Sequence, residues 1–95
     1  MLRSRVNQLF AQYSVYWIVF DPYDEEGRTP VAGDLVDDLV SIYEDLRAGL
    51  DGYARGGDHA REAVWDWDFG FKTHWGNHLT GALRALHSII SNHRV

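Results

Sequence analysis

Two histidines one helical turn apart are the residues in this chain best placed to do chemistry. They lie in HWGNHLTGALR, residues 74 to 84. His74 and His78 stand at i and i+4, a spacing that can hold one metal ion on a helix. The run invites comparison with the zinc-protease pattern HExxHxxGxxH, and Gly81 falls where that pattern has its glycine. The comparison then fails twice. Trp75 stands where the general-base Glu is needed, so nothing activates a metal-bound water. Arg84 stands at the third ligand position, and a permanently charged guanidinium cannot replace a neutral imidazole. A protease of that type is set aside.

A divalent ion held by His74, His78 and carboxylates from elsewhere remains open, because His-plus-carboxylate sites occur in helical bundles. The carboxylates would come from the acidic stretch 21–26 or from the acidic row of the second helix described below. The chain has no Glu-x-x-His pair, the usual di-iron signature. The plainer alternative has no metal: both imidazoles sit at the edge of an apolar stripe and hydrogen-bond to neighbours. Asp68 falls within the same stripe, near Trp75 and Leu79. A carboxylate buried there needs a partner, such as an indole N–H or an Arg of the second helix, and a carboxylate so held is one route to an acid catalyst. Gly70, His74, Asn77 and Gly81 form a second row. Glycine inside a helix costs up to ~1 kcal/mol against alanine, so the row points to a close helix contact, with a ligand groove as the alternative.

Other chemistries find no footing. There is no G-x-S-x-G elbow, P-loop or dinucleotide fingerprint, and the serines have no suggestive neighbours. DLVDD and REAVWDWD loosely mimic the paired acidic motifs that hold magnesium in helical nucleotide pyrophosphatases, but their spacing does not match. The enzymatic alternative is therefore a metal-dependent hydrolase or nucleotide-processing enzyme with a His/carboxylate site.

The elements that must position these residues can be read from periodicity. Val6, Leu9, Phe10, Tyr13, Trp17 and Phe20 fall on one helical face, which predicts a first helix over 2–20, although VYWIVF alone has strand propensity. Pro22, Gly27, Pro30 and Gly33 then predict an acidic loop. The second helix is the clearest: Leu35, Leu39, Ile42, Leu46, Leu50 and Tyr53 form its apolar stripe. Asp34 is its N-cap, Asp37 and Asp38 suit the dipole of its first turn, and Gly56-Gly57 ends it. Its outer face carries Asp34, Asp38, Ser41 and Asp45 in a row, either a solvated face or the docking face for a basic protein. Finally, Trp65, Trp67, Phe69 and Phe71 alternate like a strand. Val64, Trp67, Phe71, Trp75, His78 or Leu79, Ala82, Leu86 and Ile89 keep helical spacing over a longer window, which predicts a third helix over 59–92, capped by Asp58 and bent near Gly70 or Gly76. At ~1.5 Å per residue it would be about 50 Å long. Such an overhang motivates a two-fold homodimer.

Composition sets the outer bounds. The chain has 95 residues and is 45% hydrophobic, so one domain can build a core without staples. It has no cysteine, which removes disulfides, thiolate nucleophiles and Cys-ligated zinc. The longest apolar run is too short to span a bilayer, and MLRSRVNQLF lacks signal-peptide features, so a soluble cytoplasmic protein is expected. The net charge of −5 argues against nucleic acid as a partner. All 14 acids lie between Asp21 and Asp68, while the C-terminal segment holds Lys72, Arg84 and Arg94, four histidines and no acid. Either the ends pack beside the middle, or the acidic face meets a basic partner, or two copies pair head to tail.

The blocks FDPYDEE, DLVDDLVSIYEDLRAGL, AVWDWDFGFKTHWGNH and ALRALH resemble a family of small bacterial proteins classed only as a domain of unknown function. The likeness covers about residues 16–87, and the run 65–78 is its most specific part. It implies a compact all-helical fold and no assigned activity, so no catalytic residues carry over. It marks Asp21, Pro22, Trp65, Trp67, His74, Trp75 and His78 as the positions to mutate first.

Together these readings predict an all-α bundle of three main helices, the third long or bent. The expected function is a non-enzymatic interaction or accessory module with no cofactor, and with no nucleic-acid or membrane partner. Its candidate functional surface is Asp21, Tyr23, Trp65, Trp67, Asp68, His74, Trp75, Asn77 and His78. Its acidic partner face is Asp34, Asp38 and Asp45.

Overall fold

The computed structural model describes residues 1–92; Arg94 and His93 of the basic C-terminal segment lie outside the described residues. Among the described residues there are four α-helices and one two-stranded sheet. The architecture is mostly helical, as expected, but the count of three main helices needs correction at both ends.

The first correction is at 2–20. Helix α1 spans Leu2–Phe10, a 3-10 turn follows at Ala11–Tyr13, and Val15–Ile18 is strand β1. It pairs antiparallel with β2, Val31–Asp34, in the register Val15 to Asp34, Tyr16 to Gly33, Trp17 to Ala32 and Ile18 to Val31. Helical spacing would have buried Trp17 and Phe20. Instead they are 73% and 69% exposed, while Tyr16 and Ile18 face inward with the alternation of a strand. The β-branched and aromatic run takes the conformation it prefers locally because a partner strand exists to satisfy its backbone. The predicted loop accordingly gives up its last residues to β2.

Helix α2, Leu35–Arg55, matches its expected limits. The Asp34 carboxylate accepts from the Asp37 N–H at 3.1 Å, the N-cap arrangement. Gly56 and Gly57 end the helix with φ of 74° and 55°, a region that favours glycine.

The second correction is the third helix. It is two helices, α3 at Gly57–Thr73 and α4 at Trp75–Ser91, broken at His74 with φ −146° and ψ −79°. The break lies between the two glycines proposed as bend points. Gly76 permits it, because a Cβ there would collide with the Phe71 carbonyl oxygen. Asp58 is not the cap; Gly56 occupies that position without a side-chain hydrogen bond, and Asp58 lies in the first turn beside Arg61. The break removes the overhang of one long helix and weakens the argument for a dimer drawn from it.

Both halves run antiparallel along α2, one after the other. Ala63 lies opposite Gly52, and Trp67 lies opposite Gly49 and Leu46. His74 meets Asp45, and His78 meets Asp38. The core closes where Leu35, Ala82, Ala85 and Ile89 meet, with Phe10, Tyr13, Tyr16, Leu39, Ile42 and Leu86 packed around them. The molecule measures 45 × 36 × 20 Å. Its thin dimension is about two helix diameters. Among the described residues no helix is long and apolar enough to cross a membrane.

Candidate functional site

The break at His74 places both histidines against the acidic row of α2. His78 Nδ1 lies 2.8 Å from Asp38 Oδ1, and His74 Nδ1 lies 2.5 Å from Asp45 Oδ2. The two imidazoles meet edge to face, with ring centroids 4.8 Å apart. From the other side β1 brings in Tyr16, whose hydroxyl donates to Asp38 Oδ2. Asp38 is only 6% exposed, so it is a buried carboxylate shared between a phenol and an imidazole. Each partner satisfies a lone pair that burial would otherwise leave costly.

Of the expected acidic face, Asp38 is buried and Asp45 half-buried against α4, while Asp34 stands exposed. Asp34 caps α2 and accepts from the Ser14 hydroxyl. That hydrogen bond, with further help from the Asp37 and Val36 N–H groups and the Arg3 charge, holds its carboxyl below the ordinary value of 3.8 against the opposing effect of burial. Asp45 is taken up by His74. The complementarity of acidic middle and basic end is thus partly internal to the fold.

Tyr16 is the residue the sequence reading missed. Its ring is seated between two glycines: a Cβ at Gly33 would meet the ring, and a Cβ at Gly81 would meet the hydroxyl. Burial first, then the hydrogen bond to Asp38 and the charges of Asp38 and Asp34, raise its pKa well above the ordinary 10.0. The row Gly70, His74, Asn77 and Gly81 was expected to mark a close helix contact. At Gly81 the close neighbour is this tyrosine from the hairpin, and at Gly70 it is the indole of Trp75. Strand alternation in Val15–Ile18 was the signal that could have found Tyr16.

A groove of about 410 Å³ opens beside this cluster, lined on the hairpin side by Tyr16, Ile18, Phe20 and Gly33 and on the helix side by Asp34, Asp38, His74, Asn77 and His78. The remaining candidates disperse. Trp67 and Trp75 are internal fasteners: the Trp67 indole donates to the Leu46 carbonyl at 3.1 Å, and the Trp75 indole donates to the Trp67 carbonyl at 3.0 Å. Trp65 is 62% exposed and stacks on Phe69 at 5.1 Å. Asp68 is not in the core. It is exposed and pairs with Lys72 at 2.9 Å. Asp21 accepts from the Tyr23 N–H within its own loop, and the Tyr23 side chain is 96% exposed. FDPY therefore does not fold Tyr23 over the histidines, although Phe20 reaches the groove.

Chemically, a carboxylate accepts, so Nδ1 of His78 is the nitrogen that donates to Asp38. His78 and His74 are each oriented by a carboxylate, the arrangement that also orients ligating histidines. Among the described residues no three His, Asp or Glu side chains converge as a metal centre would require. No buried side-chain nitrogen or oxygen among them lacks a partner.

No curated protein and no solved structure is significantly similar to the chain. A family model described as Domain of unknown function (DUF5063) matches residues 1–92. The chain belongs to that family.

Proposed function

We propose that this protein is a non-enzymatic interaction module, in which the Tyr16, Asp38, His78 and Asp45, His74 contacts clasp the hairpin and α4 to α2 while apolar surface remains for a protein partner. The observation that carries this reading is surface area. The chain exposes 7220 Å². A compact monomer of 10.9 kDa would expose about 5,600 Å² by size scaling. Its radius of gyration is 15.6 Å, against about 12.4 Å for a compact domain of this length. Much of the excess is apolar: Trp17, Phe20, Tyr43, Leu50, Trp65 and Phe69 are each more than 45% exposed. A slab two helices thick cannot cover both of its faces, and large apolar patches mark interaction surfaces. The test is photo-cross-linking in the native cell, with a photoreactive phenylalanine analogue at Trp17, Tyr43 or Trp65. A protein adduct from at least one position, and none from Ser4, is expected. Absence of adducts from all three would refute the reading.

A second reading rests on the paired imidazoles beside the 410 Å³ groove. His74 and His78, with Asp38 or Asp45 rotated toward a shared ion, would form a divalent-metal site for a hydrolase or nucleotide-processing enzyme. Elemental analysis of untagged protein, beside a His74→Ala/His78→Ala variant, decides it. One metal per chain, lost in the variant, supports the enzyme. No metal, with a variant that is only less stable, rejects it.

A further inference from the structure

The apolar stripe of α2 is only partly used. Its N-terminal end packs into the core. Further along, Leu39, Ile42, Tyr43, Leu46, Arg47 and Leu50 line an open, almost wholly apolar groove of about 330 Å³. Leu50, Tyr43 and Tyr53 are 46%, 52% and 54% exposed. We propose that this face docks on the same face of a second copy of the chain, with the two α2 helices antiparallel about a two-fold axis at Leu46. The proposal rests on the interaction reading above and names its partner.

Two observations choose a second copy over another protein. The first is the order of the stripe. Leu39, Ile42, Leu46, Leu50 and Tyr53 stand at −7, −4, 0, +4 and +7 from Leu46. The pattern reads the same in both directions. A two-fold interface requires such self-complementarity, since each contact of one residue with another recurs reversed. Leu46 then meets its own copy on the axis, Ile42 meets Leu50, and Leu39 meets Tyr53. The stripe is about 21 Å long at the helical rise, nearly four turns of contact. The second is area. The chain exposes about 1,600 Å² beyond a compact monomer, whereas a standard interface takes about 800 Å² from each partner. One such interface therefore fits within the excess.

The absence of cysteine makes the test direct. Sedimentation of the unmodified chain should give twice 10.9 kDa. Leu50→Arg, at an exposed position, should halve that mass while keeping its helical circular dichroism. Under mild oxidation Leu46→Cys should form a disulfide-linked dimer. Ile42→Cys and Leu50→Cys should each stay unlinked alone and link when mixed, because like positions lie about 12 Å apart along the axis, beyond the ~7 Å limit for a disulfide. A monomer mass at every concentration would overturn the proposal. So would a dimer mass that Leu50→Arg leaves unchanged and that Leu46→Cys does not cross-link. In the first case, cellular adducts with a different protein would leave the interaction reading standing without this partner. Absence of both dimer and adducts would remove the two together.

Discussion

The seat of Tyr16 on Gly81 makes a double-mutant cycle the sharpest check of the clasp. Gly81 is buried inside α4. In an open helix, Gly81→Ala would stabilise by up to about 1 kcal/mol. Here the new methyl meets the Tyr16 hydroxyl. The hydroxyl is held by Asp38, so the ring must leave that carboxylate to make room. A hydrogen bond to a charged acceptor contributes about 1.5–3 kcal/mol. Gly81→Ala is therefore expected to destabilise by about 0.5–2 kcal/mol, the difference between that loss and the full helical gain. Tyr16→Phe removes the same hydrogen bond and costs about 2 kcal/mol. It also removes the clashing atom. What then remains near the added methyl is the ring carbon Cζ and Ile18 Cδ1, both at 3.4 Å, close to ordinary contact. In the Tyr16→Phe background Gly81→Ala should be neutral or stabilising by up to about 1 kcal/mol. The expected coupling is about 2 kcal/mol. Urea unfolding followed by tryptophan fluorescence measures all four corners, at one fixed protein concentration because self-association shifts apparent stability. Additivity within about 0.5 kcal/mol would refute the seating of Tyr16 between hairpin and α4.

Asp38→Ala should cost about 3–5 kcal/mol, because it breaks a buried charged contact and strands two donors, whereas Asp38→Asn, which keeps an acceptor for Tyr16, should lose less; equal losses in the same urea assay would contradict the shared-carboxylate geometry. Because the folded state raises the Tyr16 pKa, the folded chain holds a proton that the unfolded chain releases near 10.0. Stability is full below that pH and should decline as pH rises above it. Tyr16→Phe should remove that part of the alkaline loss, and an unchanged alkaline limb would argue against it. Asp34 has the opposite sign: its lowered pKa stabilises the fold above 3.8, and that contribution is lost as pH falls through the folded value. Asp34→Asn should flatten the acid limb of a pH titration of thermal stability while retaining most of the N-cap, and an acid limb as steep as that of the parent would count against it.

Legibility followed the range of the interactions. Helix α2 was readable to within a residue or two because its signals are local: an Asp cap, acids in the first turn, a regular stripe and two glycines in sequence. The same stripe misled about packing, since periodicity shows which face is apolar but not whether this chain covers it. Leu50 and Tyr53 looked like core and stand about half exposed. The run 15–18 satisfied a helical and a strand pattern at once, and only pairing with 31–34 decided between them. The acidic row was seen, and so was the option that it completes the histidines. The burial of Asp38 within it depended on where the chain places α4.

From its sequence alone this protein is a single, mostly helical, cysteine-free chain with a capped second helix and a Trp/His-rich segment. Capping, turn and periodicity preferences act within a few residues and need no fold to operate. Tertiary structure decided the rest. Asp38 becomes the buried centre of a clasp because a strand and a helix, 22 residues before it and 40 after it in the chain, deliver Tyr16 and His78 to the same carboxylate. Burial and hydrogen bonding between such distant residues arise only when the chain closes on itself, and they make Asp38 a fastener.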